Sequence, residues 1–291
     1  MSTLAWTGAL RDRDRLLRLL QEYGVYAALA LLFLVAVGLN SDFLSAGNVR
    51  IQLFQVAPTL LVALGMALVI GTEGIDLSVG AVVALAAAVV PLYLGYGLAF
   101  ALLIALLLGA LSGAVGGAMV AFTRVQPIVA TLSLMIGVRG LAEIVNGDSA
   151  KPVTDTALLD LGSDSLAGIP LMAWITALCA LAVGLVVRRT TFGRRLVAIG
   201  DNRQASRLAG LPVRRVLLTV YMVSGVLAAL AGVMIVGHGA EADPANQGLN
   251  MELNAITAVL TQHNVPNSYT QIVEAAIICC AVYASQERGT R

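Results

Sequence analysis

The string Gly71-Thr-Glu-Gly-Ile-Asp-Leu-Ser-Val-Gly80 sets two carboxylates, two hydroxyls and three glycines between two strongly apolar runs. Irregular polar backbone is tolerated in a lipid-embedded chain only where protein or a water-filled cavity surrounds it. Asp76 or Ser78 carries an oxygen able to cap the start of the next helix. The plain reading is a turn with an N-cap. The sharper one is a bend lining a translocation path, with Asp76 and Ser78 as its candidates. Arg139 and Glu143, spaced i, i+4, share one helix face inside another apolar run. Intramembrane charges face a bundle interior or a cavity. This pair therefore either ties helices together as an ion pair or meets substrate or a proton, which adds both residues to the path candidates. The third group is the arginine-rich stretch 188–215. Within it Arg203, Gln204, Ala205, Ser206, Arg207, Leu208 and Ala209 read as a short helix, with Gly210 as C-cap and Pro212 just beyond. Such a helix suits docking into a partner's groove. The alternative is a charged loop that only fixes topology.

Other chemistries have little footing. The net charge is +1, which gives no electrostatic case for nucleic acid. Cys179, Cys279 and Cys280 all lie in apolar runs, and their odd number and spacing fit neither a disulfide framework nor a zinc site. His238 and His263 are too far apart in sequence to suggest a metal site. The single lysine, Lys151, follows Asn146-Gly-Asp-Ser-Ala and makes no G-x4-G-K-[ST] loop, so the polypeptide is not expected to hydrolyse ATP by itself. The expectation is a chain that is not an enzyme and needs no metal or cofactor.

The elements that must position these residues follow from composition. The chain of 291 residues is 58% hydrophobic and 12% charged, with a mean hydropathy of +0.87. Soluble domains carry about 25% charged residues, so lipid is the better solvent and an all-α polytopic bundle the expected fold. A spanning helix needs about 20 mostly apolar residues. Candidate spans fall at 23–41, 51–72, two within the 47 uncharged residues 77–123, then 126–146, 165–187, 216–236 and 270–286. The break inside 77–123 is expected near Pro91-Leu-Tyr-Leu-Gly95-Tyr-Gly97. The first run follows Arg11, Arg13, Arg15 and Arg18, but at 19 uncharged residues it exceeds a signal core and reads as a retained span. That gives about eight spans in a single transmembrane domain over 1–291, with 1–22 cytoplasmic and 188–215 a cytoplasmic coupling loop.

Basic residues set the orientation. Those four arginines, Arg288, Arg291 and the eight in 188–215 make fourteen of the 18 Lys and Arg, and the positive-inside rule puts them all in the cytosol. Six spans then separate the N-terminus from the basic loop and two separate that loop from the C-terminus, both even, as same-side ends require. Gly109, Gly113 and Gly117 form a small-residue stripe, echoed by Ser224, Ala228 and Gly232. Such stripes let membrane helices approach closely and point to bundle packing rather than to substrate.

Gly74-Ile-Asp-Leu-Ser-Val-Gly80 resembles a stretch of the permeases of bacterial ribose, xylose, arabinose and galactofuranose ABC importers, the galactofuranose type being the most similar. Thr131-Leu-Ser-Leu-Met-Ile-Gly-Val-Arg-Gly140, the Phe192-Gly-Arg to Gly210 run, Tyr221-x-x-Ser-Gly225, Ala231-Gly232, Ala242-Asp-Pro244 with Gly248, and Glu252-Leu-x-Ala-Ile256 continue the likeness in order. Gln204-Ala-Ser-Arg-Leu-Ala-Gly210 looks like a degenerate coupling motif of that family. The resemblance implies a sugar-importing permease subunit of an inner membrane. Its partners would be ATP-binding subunits, a periplasmic sugar-binding protein and a second permease copy or paralogue. Residues 203–210 would form the coupling helix, and Asp76 and its neighbours would lie near the path.

One departure stands out. Family members, usually with about ten spans, continue after Ala255-Ile-x-Ala-Val259 with a glycine-rich turn and two more apolar segments. Here Leu260 leads through a polar run to the terminal span. The shortfall is roughly thirty to forty residues, enough for two crossings. A secondary transporter coupled to protons through Asp76 or the Arg139–Glu143 pair is the alternative reading, as is an inactive or pairing subunit.

Overall fold

Apolar length dictates the architecture. The computed structural model describes residues 34, 37, 44–123, 125–147 and 149–261, and six of its helices are long and apolar enough to cross a membrane. They are α1 (Ala46–Ile70), α2 (Val79–Tyr93, prolonged by a 3-10 turn at Leu94–Tyr96), α3 (Leu98–Phe122), α4 (Pro127–Asn146), α6 (Leu171–Arg189) and α9 (Val213–Gly239). Shorter elements fill the connections: β1 (Lys151–Pro152), α5 (Thr156–Ser163), β2 (Ser165–Leu166), β3 (Ile169–Pro170), α7 (Thr191–Asp201), α8 (Arg203–Leu208), β4 (Glu241–Ala242) and α10 (Met251–Thr261). The expected spans at 23–41 and 270–286 lie outside the described residues. By its internal contacts the chain divides into Met1–Gln52 and Leu53–Arg291, and the packing below is that of the second unit.

Burial sorts the helices. Every residue of α2 from Val79 to Val90 is buried. A helix apolar on all sides belongs at the centre of a bundle. Along their most apolar stretches α2 and α9 are 67% buried, whereas α6 is 11% buried and presents Trp174, Leu178, Leu181 and Leu185 outward. The small-residue stripes explain the central contact. Gly109 and Gly113 of α3 lie against the backbone carbonyls of Gly225 and Tyr221 of α9, and neither site has room for a Cβ. Gly232 sits on the Val83 carbonyl of α2 in the same way. On the outside, α6 is fastened by the Thr176 hydroxyl, which donates to the Ala57 carbonyl at 3.3 Å.

Three boundaries differ from the sequence reading. Pro91 stays inside α2, and the chain turns only at Gly97, whose φ of +99° suits glycine. The span expected at 165–187 begins at Leu171, because β2 and β3 form an antiparallel hairpin around Ala167 and Gly168, both at positive φ. Ser78 takes the position before α2 without capping it by its side chain. Opposite that junction β1 pairs with β4, Lys151 facing Ala242, and the Asp155 carboxylate caps α5 by accepting from the Leu158 N–H at 3.0 Å.

The interlock of α3 with α9 generates a matched prediction. Gly113→Leu should lower the thermal midpoint in detergent by several degrees, since overpacking costs about 1–3 kcal/mol. Gly137→Leu, where a Cβ meets nothing within 4 Å, should stay near the parent. Equal midpoints for the two variants would contradict the close-packed interface.

Candidate functional site

Residues 71–78 leave the helical ladder, so each of their polar groups needs another partner. The Thr72 and Gly74 N–H groups turn back to the Val69 carbonyl at 3.0 and 3.1 Å, and the Thr72 hydroxyl donates to the same oxygen at 2.8 Å. Glu73 adopts a positive φ of 57° and is exposed. Beyond it the segment is held from three sides. Arg203 Nη2 donates to the Thr72 carbonyl at 2.8 Å, and the Thr131 hydroxyl of α4 lies 3.3 Å from the Ile75 carbonyl, shared with the Pro127 carbonyl of its own helix at 3.0 Å. Ser224 Oγ of α9 donates to Asp76 Oδ2 at 3.3 Å.

Asp76 is 2% exposed, and this carboxylate organises the bend. Its Oδ1 accepts from the Ser78 N–H at 3.0 Å and from the Ser78 hydroxyl at 2.6 Å. The pattern is an Asx turn, in which the aspartate satisfies backbone that neither helix reaches. Asp76 and Ser78 are therefore brought together, with Ser78 serving as a donor to Asp76 instead of a cap. Ser224 lies near the middle of α9 and faces Gly65 of α1 as well, so the carboxylate sits well inside the bundle. Beside it Tyr221 is fully buried with its hydroxyl close to Gly74, and that hydroxyl has no hydrogen-bond partner among the described residues.

Arg139 corrects the expected ion pair. Its Nη1 donates to the carbonyls of Pro244 (2.9 Å) and Gln247 (3.2 Å), and its Nη2 to that of Gly80 (3.3 Å). Among the described residues no ion pair joins it to Glu143, which is half-buried one turn along. The guanidinium staples a second irregular segment, 243–250, to the first turn of α2. Within that segment Asp243 and Gln247 close a turn on themselves: the Gln247 N–H donates to the Asp243 carbonyl at 2.8 Å, and Gln247 Oε1 accepts from the Asp243 N–H at 3.0 Å. At the staple Gly80 and Gly248 meet backbone to backbone, with the Glu252 carboxylate alongside and no room for a Cβ at either glycine. Gly248 also needs its φ of +74°.

The expected docking helix forms and divides by face. Asn202 caps α8 by accepting from the Ala205 N–H at 2.8 Å. Gly210 at φ +79° ends it, with the Leu211 N–H donating to the Ser206 carbonyl at 3.0 Å. Gln204, Ala205, Arg207, Leu208, Ala209 and Gly210 are exposed, and Leu208 is 84% exposed. Arg203 and Ser206 turn inward, Ser206 Oγ donating to the Ala198 carbonyl of α7 at 2.8 Å. Helix α7 had no counterpart in the sequence reading, although its buried Gly193, Leu196 and Ile199 recur at three-residue intervals.

Sequence reasoning also missed Tyr221, Thr131 and Glu252 as members of this site, and saw Ser224 only as a small packing residue. All four stand in the stretches that carry the family likeness, but only the fold sets them against segment 71–80. Among the described residues no group of three or more His, Cys, Asp and Glu could hold a metal ion. His238 instead stacks on Phe54 at 4.5 Å.

Comparison with known proteins bears on this arrangement. A family model described as the permease component of branched-chain amino acid transport systems matches residues 48–279. The chain is 40% identical over 208 residues to the galactofuranose transporter permease protein YtfT of Escherichia coli strain K12, covering 71% of this chain and 61% of that protein. It is 35% identical to the fructose import permease protein FruF of Bifidobacterium longum (80% of this chain, 70% of the relative). It is 36% identical to the ribose import permease protein RbsC of Escherichia coli strain K12 (83% and 77%). The chain thus spans about three fifths of YtfT. No solved structure matches.

The Arg139 staple generates a prediction that separates it from an ion pair. Arg139→Met removes three part-buried hydrogen bonds from a charged donor and should cost about 1.5–3 kcal/mol, the range for hydrogen bonds to charged groups. Glu143→Gln, which keeps the size of the side chain and breaks no ion pair among the described residues, should cost under about 0.5 kcal/mol. Chemical or thermal unfolding of both variants in detergent checks this, and an equal loss would restore the ion pair.

Proposed function

From a chain that belongs to the permease-component family of branched-chain amino acid transport systems, and so is a multi-pass membrane transport component, we propose the membrane-spanning subunit of an ATP-driven monosaccharide importer in a bacterial inner membrane. The relatives named above are permeases for galactofuranose, fructose and ribose, which supports a sugar as cargo. ATP hydrolysis is assigned to separate ATP-binding subunits, delivery to a periplasmic sugar-binding protein, and completion of the path to a second permease copy or paralogue. Asp76, Ser78 and Arg139 are the groups of this subunit that hold the irregular segments beside that path. Glu143 is the fourth candidate, without a partner assigned to it.

The single observation that carries the reading is the outward face of α8. Leu208 is 84% exposed on a loop rich in arginine, beside exposed Gln204 and Arg207. A large apolar side chain held out from a polar, basic loop fits a groove on another subunit, where a few such anchors dominate binding.

The test is co-purification and uptake. Proteoliposomes holding the chain, its ATP-binding subunit and its sugar-binding protein should accumulate labelled ribose, arabinose, fructose or galactofuranose only with ATP. Arg207→Glu with Leu208→Glu should weaken retention of the ATP-binding subunit by about tenfold or more, as loss of interface anchors does. Retention at the parental level removes α8 as the docking element. Uptake by the chain alone under a proton gradient points to a secondary transporter, and failure of the full assembly to move any sugar points to a pairing subunit.

A further inference from the structure

We propose that Arg203 is a positioning residue that clamps segment 71–78 to helices α7 and α8, so that displacement of those helices is delivered to Asp76. The inference rests on the reading of α8 as the docking helix and deepens it by naming how the docking site reaches the bend.

Arg203 is the first residue of α8, yet its side chain leaves the docking face. It reaches the Thr72 carbonyl at 2.8 Å. The neighbouring end of α7 grips the same place by shape: Gly200 lies on the Gly71 carbonyl, and Leu196 closes over Gly71, leaving no room for a Cβ at either glycine. The two short helices act as one body, because the Ser206 hydroxyl bonds the Ala198 carbonyl and Asn202 caps α8 directly after α7 ends. One body therefore holds the first two residues of the segment.

The other end of the segment is fixed to different helices. The Asp76 carboxylate is bonded to Ser224 of α9, and the Ile75 carbonyl shares the Thr131 hydroxyl of α4 with the Pro127 carbonyl. Between Thr72 and Asp76 runs a short stretch that belongs to no helix, with Gly74 pressed against Tyr221. So short a link cannot absorb a shift at Thr72 without moving Asp76 or breaking its anchor on α4 or α9. The contact at Thr72 carries a full positive charge, which makes it a strong bond in a poorly hydrated place. Two buried donors at this junction, Arg203 Nε and Tyr221 Oη, have no hydrogen-bond partner among the described residues. Buried donors without partners are uncommon, and these two give a shifted segment groups to bond.

The experiment compares Arg203→Ala and Arg203→Lys in the reconstituted assembly, using whichever sugar of the panel above the parent takes up. The readout is sugar moved per ATP hydrolysed, normalised to the ATP-binding subunit bound. Arg203→Ala should lower that ratio by about fivefold or more, the lower end of ordinary coupling between sites, and Arg203→Lys should recover at least half of it. A spin label at Glu73→Cys, in a chain whose Cys179, Cys279 and Cys280 are alanine, reports the segment in the permease alone. Its spectrum should show a more mobile label in Arg203→Ala than in the parent. An unchanged sugar-per-ATP ratio in Arg203→Ala overturns the proposal. A parent that binds no ATP-binding subunit overturns the docking reading instead. In that case an unchanged label spectrum overturns the clamp, and a loosened one upholds it.

Discussion

Hydrocarbon offers no water to a backbone amide or carbonyl, so any residue that leaves a helix within the bundle must find its partner in the protein. Two segments of this chain, 71–78 and 243–250, leave the ladder beside buried helices, and side chains from elsewhere receive what the ladder gives up. Thr131, Arg139 and Arg203 donate to carbonyls of Ile75, Pro244, Gln247 and Thr72 in the segments, and Arg139 and Asn146 to those of Gly80 and Ala242 at their edges. Asp76 accepts where backbone donors are left over. That requirement accounts for why an arginine stands in α4 and an aspartate at the bend. A neutral donor in place of Arg139 would serve one carbonyl or two, whereas its planar fork serves three.

Against these articulated segments stands a close-packed block. Helices α3 and α9 meet through glycines at backbone distance, and α9 meets α2 the same way at Gly232. Such contacts gain dispersion energy over many small increments and leave nothing that can slide without clashing. Motion in this part of the molecule is therefore cheapest in the segments, where polar contacts can be exchanged for one another. The Gly80–Gly248 contact joins the two segments at the start of α2, so a change in one is felt by the other across a single backbone touch.

The long elements were legible because lipid imposes a crude rule, length times apolarity, that local detail does not disturb; the six described spans obey it. The special status of Arg139 was legible for the same reason, since charge inside an apolar run always demands an account. Its partners were not. An i, i+4 carboxylate is the nearest acceptor in sequence, but carbonyls from 105 and 108 residues away lie closer in space once α9 has returned the chain. Asp76 looked like a helix cap because both roles use the same oxygen, and only the backbone path shows that it bonds Ser78 instead. The hairpin at Ser165–Pro170 hid inside an apolar window, because Leu166 and Ile169 add to hydropathy without continuing a helix.

The tertiary contacts carry a test of sidedness that uses no membrane at all. Between residue 72 and residue 203 the described chain has four helices long and apolar enough to cross, α2, α3, α4 and α6, an even number that calls for the two to lie on one side. Arg203 touches the Thr72 carbonyl, as that parity demands. Between residue 146 and residue 242 the chain makes two crossings, α6 and α9, and Asn146 bonds the Ala242 carbonyl. An odd number of crossings between either pair would separate its two residues by the thickness of a bilayer. On the proposed reading, which puts the arginines of 188–215 in the cytosol by the positive-inside rule, the Arg203 end is the cytosolic one. The bend at Asp76 is then reached from the Arg203 side through Thr72, while the segment at Gly248 is reached from the opposite side through Ala242. The two meet at Gly80, where the polar groups approached from each face come within one backbone contact of each other.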